Sequence, residues 1–310
     1  MHEHEKYKIV TKVLGRSYQS GTEYLFFCPY CKHHKRKLSV NLTRDVYKCW
    51  ICDARGRTIR RLVRRFGDFT LLQRWDAVSG KVNLDEFESL FEEEAPEQEQ
   101  ILEMPDGFKT LTSKTLPLSA RPARAYLRSR GITKSDLLRW KIGYTPAGPY
   151  ADRIIIPSYN MSGELNYFVA RSYMDDYKKY INPPASRDIC FNELFVDWDD
   201  DLMIVEGIFD AIVAGNAVPI LGSSLRRDSR LIKRIVENDT PVYIALDADA
   251  EKKAAKIIKT MLKFDIELYK IDVGDCEDVG SLTKEEFARR KEKATFIDAD
   301  SQLEELVMSI

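Results

Sequence analysis

Residues 201–214 read DLMIVEGIFDAIVA and residues 241–249 read PVYIALDAD. In both, a short apolar run ends on an acidic residue: Leu202–Val205 on Glu206, and Val242–Leu246 on Asp247 and Asp249. Short apolar runs that alternate with helix-length amphipathic stretches are the pattern of strands covered on both faces. The alternation continues outward through Ile208–Ala214, Val218–Leu221, Leu225–Val236, Ala250–Lys263 and Ile266–Ile271. It predicts an α/β region with a mainly parallel sheet. In such a sheet the ligand crevice lies beyond the carboxyl ends of the strands. Glu206, Asp247, Asp249 and Asp278, which follows the last strand, are therefore expected to converge there. Asp210 either joins them or caps a helix. Asp247 and Asp249, with one residue between them, can reach one hard cation, and Mg2+ or Mn2+ held this way keeps positions for water and phosphate oxygens. Two such ions about 3.5–4 Å apart would serve attack by a 3′-hydroxyl with loss of pyrophosphate. Taken singly, each Asp is better explained by helix capping; as a set they favour metal.

A second pattern lies near the N-terminus. Cys28 and Cys31, then Cys49 and Cys52, form two CxxC pairs with 17 residues between them. Each turn aims two thiolates at one ion, and four thiolates close a tetrahedral shell, so one structural zinc is expected. Cys190 and Cys276 read as ordinary buried thiols. The stretch from Leu25 to Ile59 reads as short strands and turns, followed by a basic amphipathic helix near Thr58 to Phe66. Twelve Lys and Arg between Lys32 and Arg65, Arg60 among them, interleave with Tyr30, Tyr47 and Trp50. Cations that neutralise phosphates beside aromatic faces that stack on unpaired bases describe a single-strand nucleic-acid surface. His33 and His34 are expected to face solvent or phosphate.

Charge is segregated along the 310 residues although the whole chain carries a net −1. Residues 1–80 hold 17 Lys and Arg against 7 Asp and Glu, net +10, whereas residues 81–106 hold one Lys against ten acidic residues, net −9. That split suggests a polyanion-binding head and an acidic connector. Between them and the sheet, helical patterns at Pro122–Arg130 and Thr133–Trp140 precede strands at Arg153–Tyr159 and Leu165–Tyr173 around the turn Asn160–Gly163. The expected organisation is a zinc-ribbon domain (1–80), an acidic linker (81–119), a mixed α/β subdomain (120–199), the parallel-sheet domain (200–290) and a tail (291–310). No apolar run suggests a signal peptide or membrane span, so a cytoplasmic protein without membrane partners is expected.

These residues resemble a known family. Val205–Glu206–Gly207 with Asp210, then Leu246–Asp247–Ala248–Asp249, then Asp278, is similar to the acidic signature of TOPRIM domains, found in DnaG-type primases, topoisomerases and some nucleases. The cysteine ribbon resembles the template-binding ribbon of bacterial and bacteriophage DNA primases. Ala125–Ile132 and Ile142–Tyr144 look like the helical opening of the primase polymerase domain, and Arg153–Pro157 with Lys178–Asn182 resembles its basic strand region. The resemblance implies an enzyme that joins ribonucleoside triphosphates into short RNA primers on single-stranded DNA. It also implies a binding role for Arg153, Arg171, Lys178 and Lys179, and a replicative helicase and single-strand-binding protein as partners. Two positions depart from the family: Ala250–Glu251 replaces an Ala-Gly step, and Glu277–Asp278–Val279–Gly280 replaces Asp-Pro-Asp. No GxxxxGK[ST] loop occurs, so a fused helicase is not expected, and a stand-alone bacteriophage-type primase in the host cytoplasm fits. The rival readings are a TOPRIM nuclease or topoisomerase fragment, and a non-catalytic zinc and TOPRIM recombination mediator that clamps DNA.

Overall fold

The computed structural model describes residues 2–80, 100–113, 115–221, 225–226, 229–247, 250–274, 276 and 278–297. Asp249, most of the acidic linker (81–99) and the end of the tail (298–310) lie outside the described residues. The chain divides into two compact units, one formed by 1–92 with 258–268 and 297–310, the other by 93–257 with 269–296. The protein is mixed α/β, as the sequence suggested.

The first unit opens with a helix the sequence reading did not foresee, α1 (His2–Leu14). Five strands follow: β1 (Tyr18–Ser20), β2 (Glu23–Phe26), β3 (Leu38–Asn41), β4 (Val46–Cys49) and β5 (Arg55–Gly56). They pair in chain order as an antiparallel meander. The β3–β4 hairpin turns at Asp45 (φ 57°), and Asn41 Oδ1 accepts from Arg44 N at 2.9 Å to close it. Gly56 is required by packing, because a Cβ there would lie 2.5 Å from the Tyr47 ring. Helices α2 (Arg60–Phe66) and α3 (Phe69–Ser79) then cover the sheet. Ile9 and Val10 of α1 join Phe26, Leu38, Leu62 and Trp75 in one apolar core. Arg60, expected among the phosphate-facing cations, is instead 1% exposed and grips Asp76 with two hydrogen bonds of 2.8 and 3.0 Å. A buried guanidinium needs such a planar two-oxygen partner to offset its lost hydration.

The second unit is built on two sheets. Strands β6 (Lys109–Thr110), β7 (Gly143–Thr145), β8 (Arg153–Tyr159) and β9 (Leu165–Ser172) form an antiparallel sheet in chain order. The β8–β9 turn falls where the sequence placed it: Asn160 Oδ1 accepts from Ser162 N and Glu164 N, and Gly163 takes φ +80°. Helices α4 (Arg121–Ser129) and α5 (Lys134–Arg139) lie between β6 and β7 in the chain.

The other sheet contains β10 (Leu202–Val205), β11 (Ala217–Pro219), β12 (Val242–Ala245), β13 (Leu268–Lys270) and β14 (Thr295–Ile297). Its order is β11-β10-β12-β13-β14, and β10 pairs in parallel with both β11 and β12. The connecting helices are α6 (Ile208–Ala214), α7 (Arg230–Asn238), α8 (Glu251–Leu262) and α9 (Lys284–Glu292). All four residues of β10 are buried, as a strand covered on both faces requires. The strand expected over Val218–Leu221 stops at Pro219, and Leu221 is turned into the left-handed region (φ 52°). The α9 and β14 elements were not foreseen.

A capping box starts α5: Asp136 Oδ2 accepts from Thr133 N at 2.9 Å, and Thr133 Oγ1 accepts from Asp136 N at 3.2 Å. Its other oxygen accepts from Lys284 Nζ at the start of α9, which ties the helical segment to the parallel sheet. Burial pushes the Asp136 carboxyl up, but the Lys284 ammonium and the Thr133 donors outweigh it and hold it below its usual range. A carboxylate depressed in the folded state stabilises above its unfolded pKa, about 3.9, and that contribution is lost as the pH falls through the folded value. Lys284→Met should therefore lower stability at pH 7 by on the order of 1 kcal/mol or less. The gap from wild type in thermal unfolding should narrow below about pH 4, and a gap constant from pH 7 to pH 3 would contradict the assignment.

Candidate active site and metal centre

The first cysteine pair sits on the turn that follows β2, and the second spans the last residue of β4, Cys49, and the turn after it. At the first turn Lys32 N donates to Cys28 O at 2.9 Å, with Lys32 at φ 51°; at the second, Cys49 N donates to Ala54 O at 2.7 Å, with Asp53 at φ 57°. Both turns fold inward and bring all four Sγ atoms within 4.8 Å of one another. The Cys28–Cys52 and Cys31–Cys49 separations are 3.8 and 3.9 Å. A tetrahedron with Zn–S bonds of about 2.3 Å has edges of about 3.8 Å, so the four residues fit one structural zinc. Burial pushes the Cys28 thiol up to about 12. Burial acts in the same direction on Cys49, but the Cys52 and Ile51 N–H groups and neighbouring thiols outweigh it and bring that thiol down to about 7.

The ribbon surface sorts the aromatics that sequence alone could not. Tyr47 is buried in the core, and its hydroxyl lies 3.3 Å from that of the half-buried Tyr30. Trp50 is 66% exposed with Lys48 over its ring at 5.0 Å, and Arg36 covers the exposed Phe27 at 4.7 Å. Tyr18 and Phe69 are further exposed rings that the reading missed. His33 and His34 lie against each other with ring centroids 4.4 Å apart.

In the second unit a cleft of about 510 Å3 is lined by Glu206, Asp210, Asp247 and Asp278 together with Arg130, Arg171, Lys179 and Arg187. Topology explains the carboxylates. The parallel register matches Val205 with Ala245, so Glu206 and Asp247 leave adjacent strands at the same edge of the sheet. Asp278 stands just before the 3-10 turn Val279–Ser281. Among the described residues its Oδ1 is buried without a hydrogen-bond partner, an arrangement that favours a cation. The cysteines are the described residues whose ligand atoms close on one point; the cleft carboxylates are more widely spaced. An Mg2+ ion that keeps several waters needs one or two carboxylates rather than a closed cage, so the donor set fits it.

Asp210 fits the capping alternative. Its Oδ2 accepts from Gly207 N and its Oδ1 from Gly280 N, both at 2.7 Å. The side chain thus staples the turn bearing Glu206 to the turn following Asp278. Burial, opposed by those two N–H groups and reinforced by Asp278 and Glu206, raises its pKa. Gly280 is part of the staple, since a Cβ there would approach Asp210 Oδ1 to 2.8 Å and Phe209 Cβ to 3.2 Å. On α8, Lys253 Nζ lies 3.0 Å from Glu206 Oε1.

The expected basic residues separate. Arg171 and Lys179 line the cleft; Arg171 donates through Nε to Tyr126 Oη at 3.1 Å and lies over the Tyr180 ring at 4.7 Å. Arg153 does not line it: its side chain is buried and donates to Asp176 at 2.7 Å, which holds the Asp176 carboxyl below its usual range. Lys178 is exposed and outside the lining. Arg130, Tyr180, Asn182 and Arg187 line the cleft and were not singled out. Their signal in the sequence was weak, because a cation or aromatic between strands looks the same whether or not it faces a cleft.

No family model matches the chain. It is similar to the DNA primase of Clostridium acetobutylicum, with 25% identity over 90% of this chain and 54% of that protein. The Escherichia coli DNA primase is 24% identical over 91% of this chain and 58% of its own length. The chain thus spans about half the length of the curated relatives it matches. Among solved structures, the zinc-binding and RNA polymerase domains of Aquifex aeolicus primase superpose with TM-score 0.52 at 19% identity, covering 97% of this chain and 87% of that one. A DnaG primase catalytic domain bound to single-stranded DNA gives 0.51 at 22% identity over 58% of this chain and 74% of that one. The fold is that of the zinc-binding and polymerase domains of DnaG primases.

Structural zinc binding in small domains supplies on the order of 10–16 kcal/mol, which is folding energy. Stripping zinc with a chelator, or Cys49→Ser, should therefore lose strand signal and quench the protected environment of buried Trp75. Zinc content near one per chain, falling together with that signal, is the expected result; full retention of the ribbon without metal would contradict it.

Proposed function

We propose that this chain is a DNA primase that synthesises short RNA primers on single-stranded DNA by metal-dependent nucleotidyl transfer. The observation that carries the reading is one cleft in which Glu206, Asp247 and Asp278 stand with Arg171 and Lys179, in a chain similar to DNA primases over most of its length. Carboxylates concentrate a hard divalent cation, and guanidinium and ammonium groups beside them attract phosphate oxygens. Divalent metal, Mg2+ or Mn2+ and two ions in this reading, supplies charge stabilisation for the attacking and leaving oxygens. Glu206, Asp247 and Asp278, with Asp249, would hold it. Glu206 also stands where it can orient the site or accept the proton of the initiating 3′-hydroxyl. Arg171, fixed by Tyr126 and Tyr180, presents its guanidinium to the triphosphate or template backbone, and Lys179 adds a mobile charge. Asp210 acts indirectly, keeping the two carboxylate-bearing turns in register.

The exposed Trp50 with Lys48, and Phe27 with Arg36, suit unpaired bases and their phosphates, so the ribbon is assigned to the template. One structural neighbour is a primase catalytic domain bound to single-stranded DNA, which supports the same ligand here. Ribonucleoside triphosphates as substrates, a replicative helicase and single-strand-binding protein as partners, and action in the cytoplasm complete the proposal. So do the boundaries 1–80, 81–119, 120–199, 200–290 and 291–310. No helix among the described residues is long and apolar enough to cross a membrane.

Incubating the chain with single-stranded DNA, Mg2+ and labelled ribonucleotides tests the reading directly. Wild type should make short RNA, while Asp247→Asn and Asp278→Asn should each lower synthesis by about 100-fold or more, the scale for loss of an electrostatic catalytic group. DNA binding should change little. Shortened DNA would point to a nuclease, and binding without either product to a mediator.

A further inference from the structure

Glu206 does not face the cleft as an isolated carboxylate. Lys253, on the first turn of α8, reaches back so that its Nζ lies 3.0 Å from Glu206 Oε1. Both side chains are partly buried, 33% and 25% exposed, so water screens the contact less than it would at an open surface. The cleft carries the carboxylates of Asp210, Asp247 and Asp278 as well. Like charges gathered at the ends of adjacent strands repel, and a cation placed among them offsets the repulsion.

We infer that Lys253 is the resident counter-ion of Glu206, and that a divalent cation entering the cleft takes Glu206 only by displacing this ammonium. The inference rests on the metal-binding role proposed for the cleft. Its physical basis is the type of cation and where it is anchored. Lysine is a compact charge on a four-carbon stem, able to swing away at small cost, whereas an arginine fork would hold a carboxylate through two hydrogen bonds. Lys253 is anchored on the helix that begins directly after the turn Asp247–Ala250, so the cation that holds Glu206 and one carboxylate proposed to receive metal, Asp247, stand close in the chain at one strand-to-helix junction. Metal binding then includes the cost of breaking one ion pair. Lys253 is accordingly a positioning residue that sets how tightly the cleft takes metal.

The test uses the zinc-loaded full chain without nucleotide or DNA and reads bound Mn2+ by electron paramagnetic resonance, with thermal unfolding as a check on folding. Asp247→Asn/Asp278→Asn supplies the background to subtract. Removing the competitor in Lys253→Met should tighten Mn2+ binding by about three- to tenfold, the size of one partly buried ion pair. Lys253→Arg should weaken it, because the fork is harder to displace. A contact that merely docks α8 would shift both variants in the same direction or neither, and either result would overturn the proposal. In a Glu206→Gln background the Lys253→Met effect should vanish, as a direct pair requires; an undiminished effect would mean that Lys253 acts only through the general field, and would also overturn it. Wild type that binds no Mn2+ above the background would defeat the metal reading of the cleft itself. Equal binding by wild type and Lys253→Met would defeat the counter-ion role alone.

Discussion

The parallel pairing of β10 with β12 is the constraint on which the rest of the second unit depends. Because Val205 stands opposite Ala245, the chain must leave both strands at one edge, and the next residues outward are Glu206 and Leu246–Asp247. Nothing in the local sequence makes these carboxylates neighbours; the strand register does. The Asp210 staple then fixes the third partner, holding Gly207 N on one oxygen and Gly280 N on the other, so that the turn after Asp278 cannot drift from the turn bearing Glu206. Buried carboxylates are costly, and this one is tolerated because two backbone donors that would otherwise be orphaned are satisfied by it.

The same logic separates cations that hold the fold from cations that line the cleft. Arg60 and Arg153 are buried and bound to Asp76 and Asp176, whereas Arg171, Arg187 and Lys179 line the cleft. Aromatics divide likewise: Tyr47 fills the ribbon core and makes Gly56 obligatory, while Trp50 stays in solvent with Lys48 above it. Gly280 likewise leaves no room for a side chain. A side chain there would strike Asp210 and Phe209.

Much of this was legible beforehand where chemistry and spacing coincide. The CxxC pairs announced the thiolate cluster, and the strands around Glu206 and Asp247 and the Asn160–Gly163 turn followed from apolar runs and turn chemistry. Burial was not legible. A one-dimensional reading sees Arg60, Arg153 and Tyr47 as charge and ring, and cannot tell that partners 16 to 23 residues away, or a glycine nine residues on, draw them inside. Helix α1 was missed because its apolar face is broken by charged residues, and its burial comes from packing against α2 and α3 rather than from a continuous hydrophobic stripe. Arg130 and Arg187 were passed over because cleft-lining cations belong to segments brought together only by the sheet order.

Glu206, Asp247 and Asp278 are proposed to hold divalent metal in one cleft. A crystal structure of the full chain soaked in Mn2+, with anomalous differences recorded at the manganese edge, tests it most directly. Anomalous density is expected between these three carboxylates, with Lys253 moved away from Glu206. Density elsewhere only, with the carboxylates of the cleft bare, would contradict it.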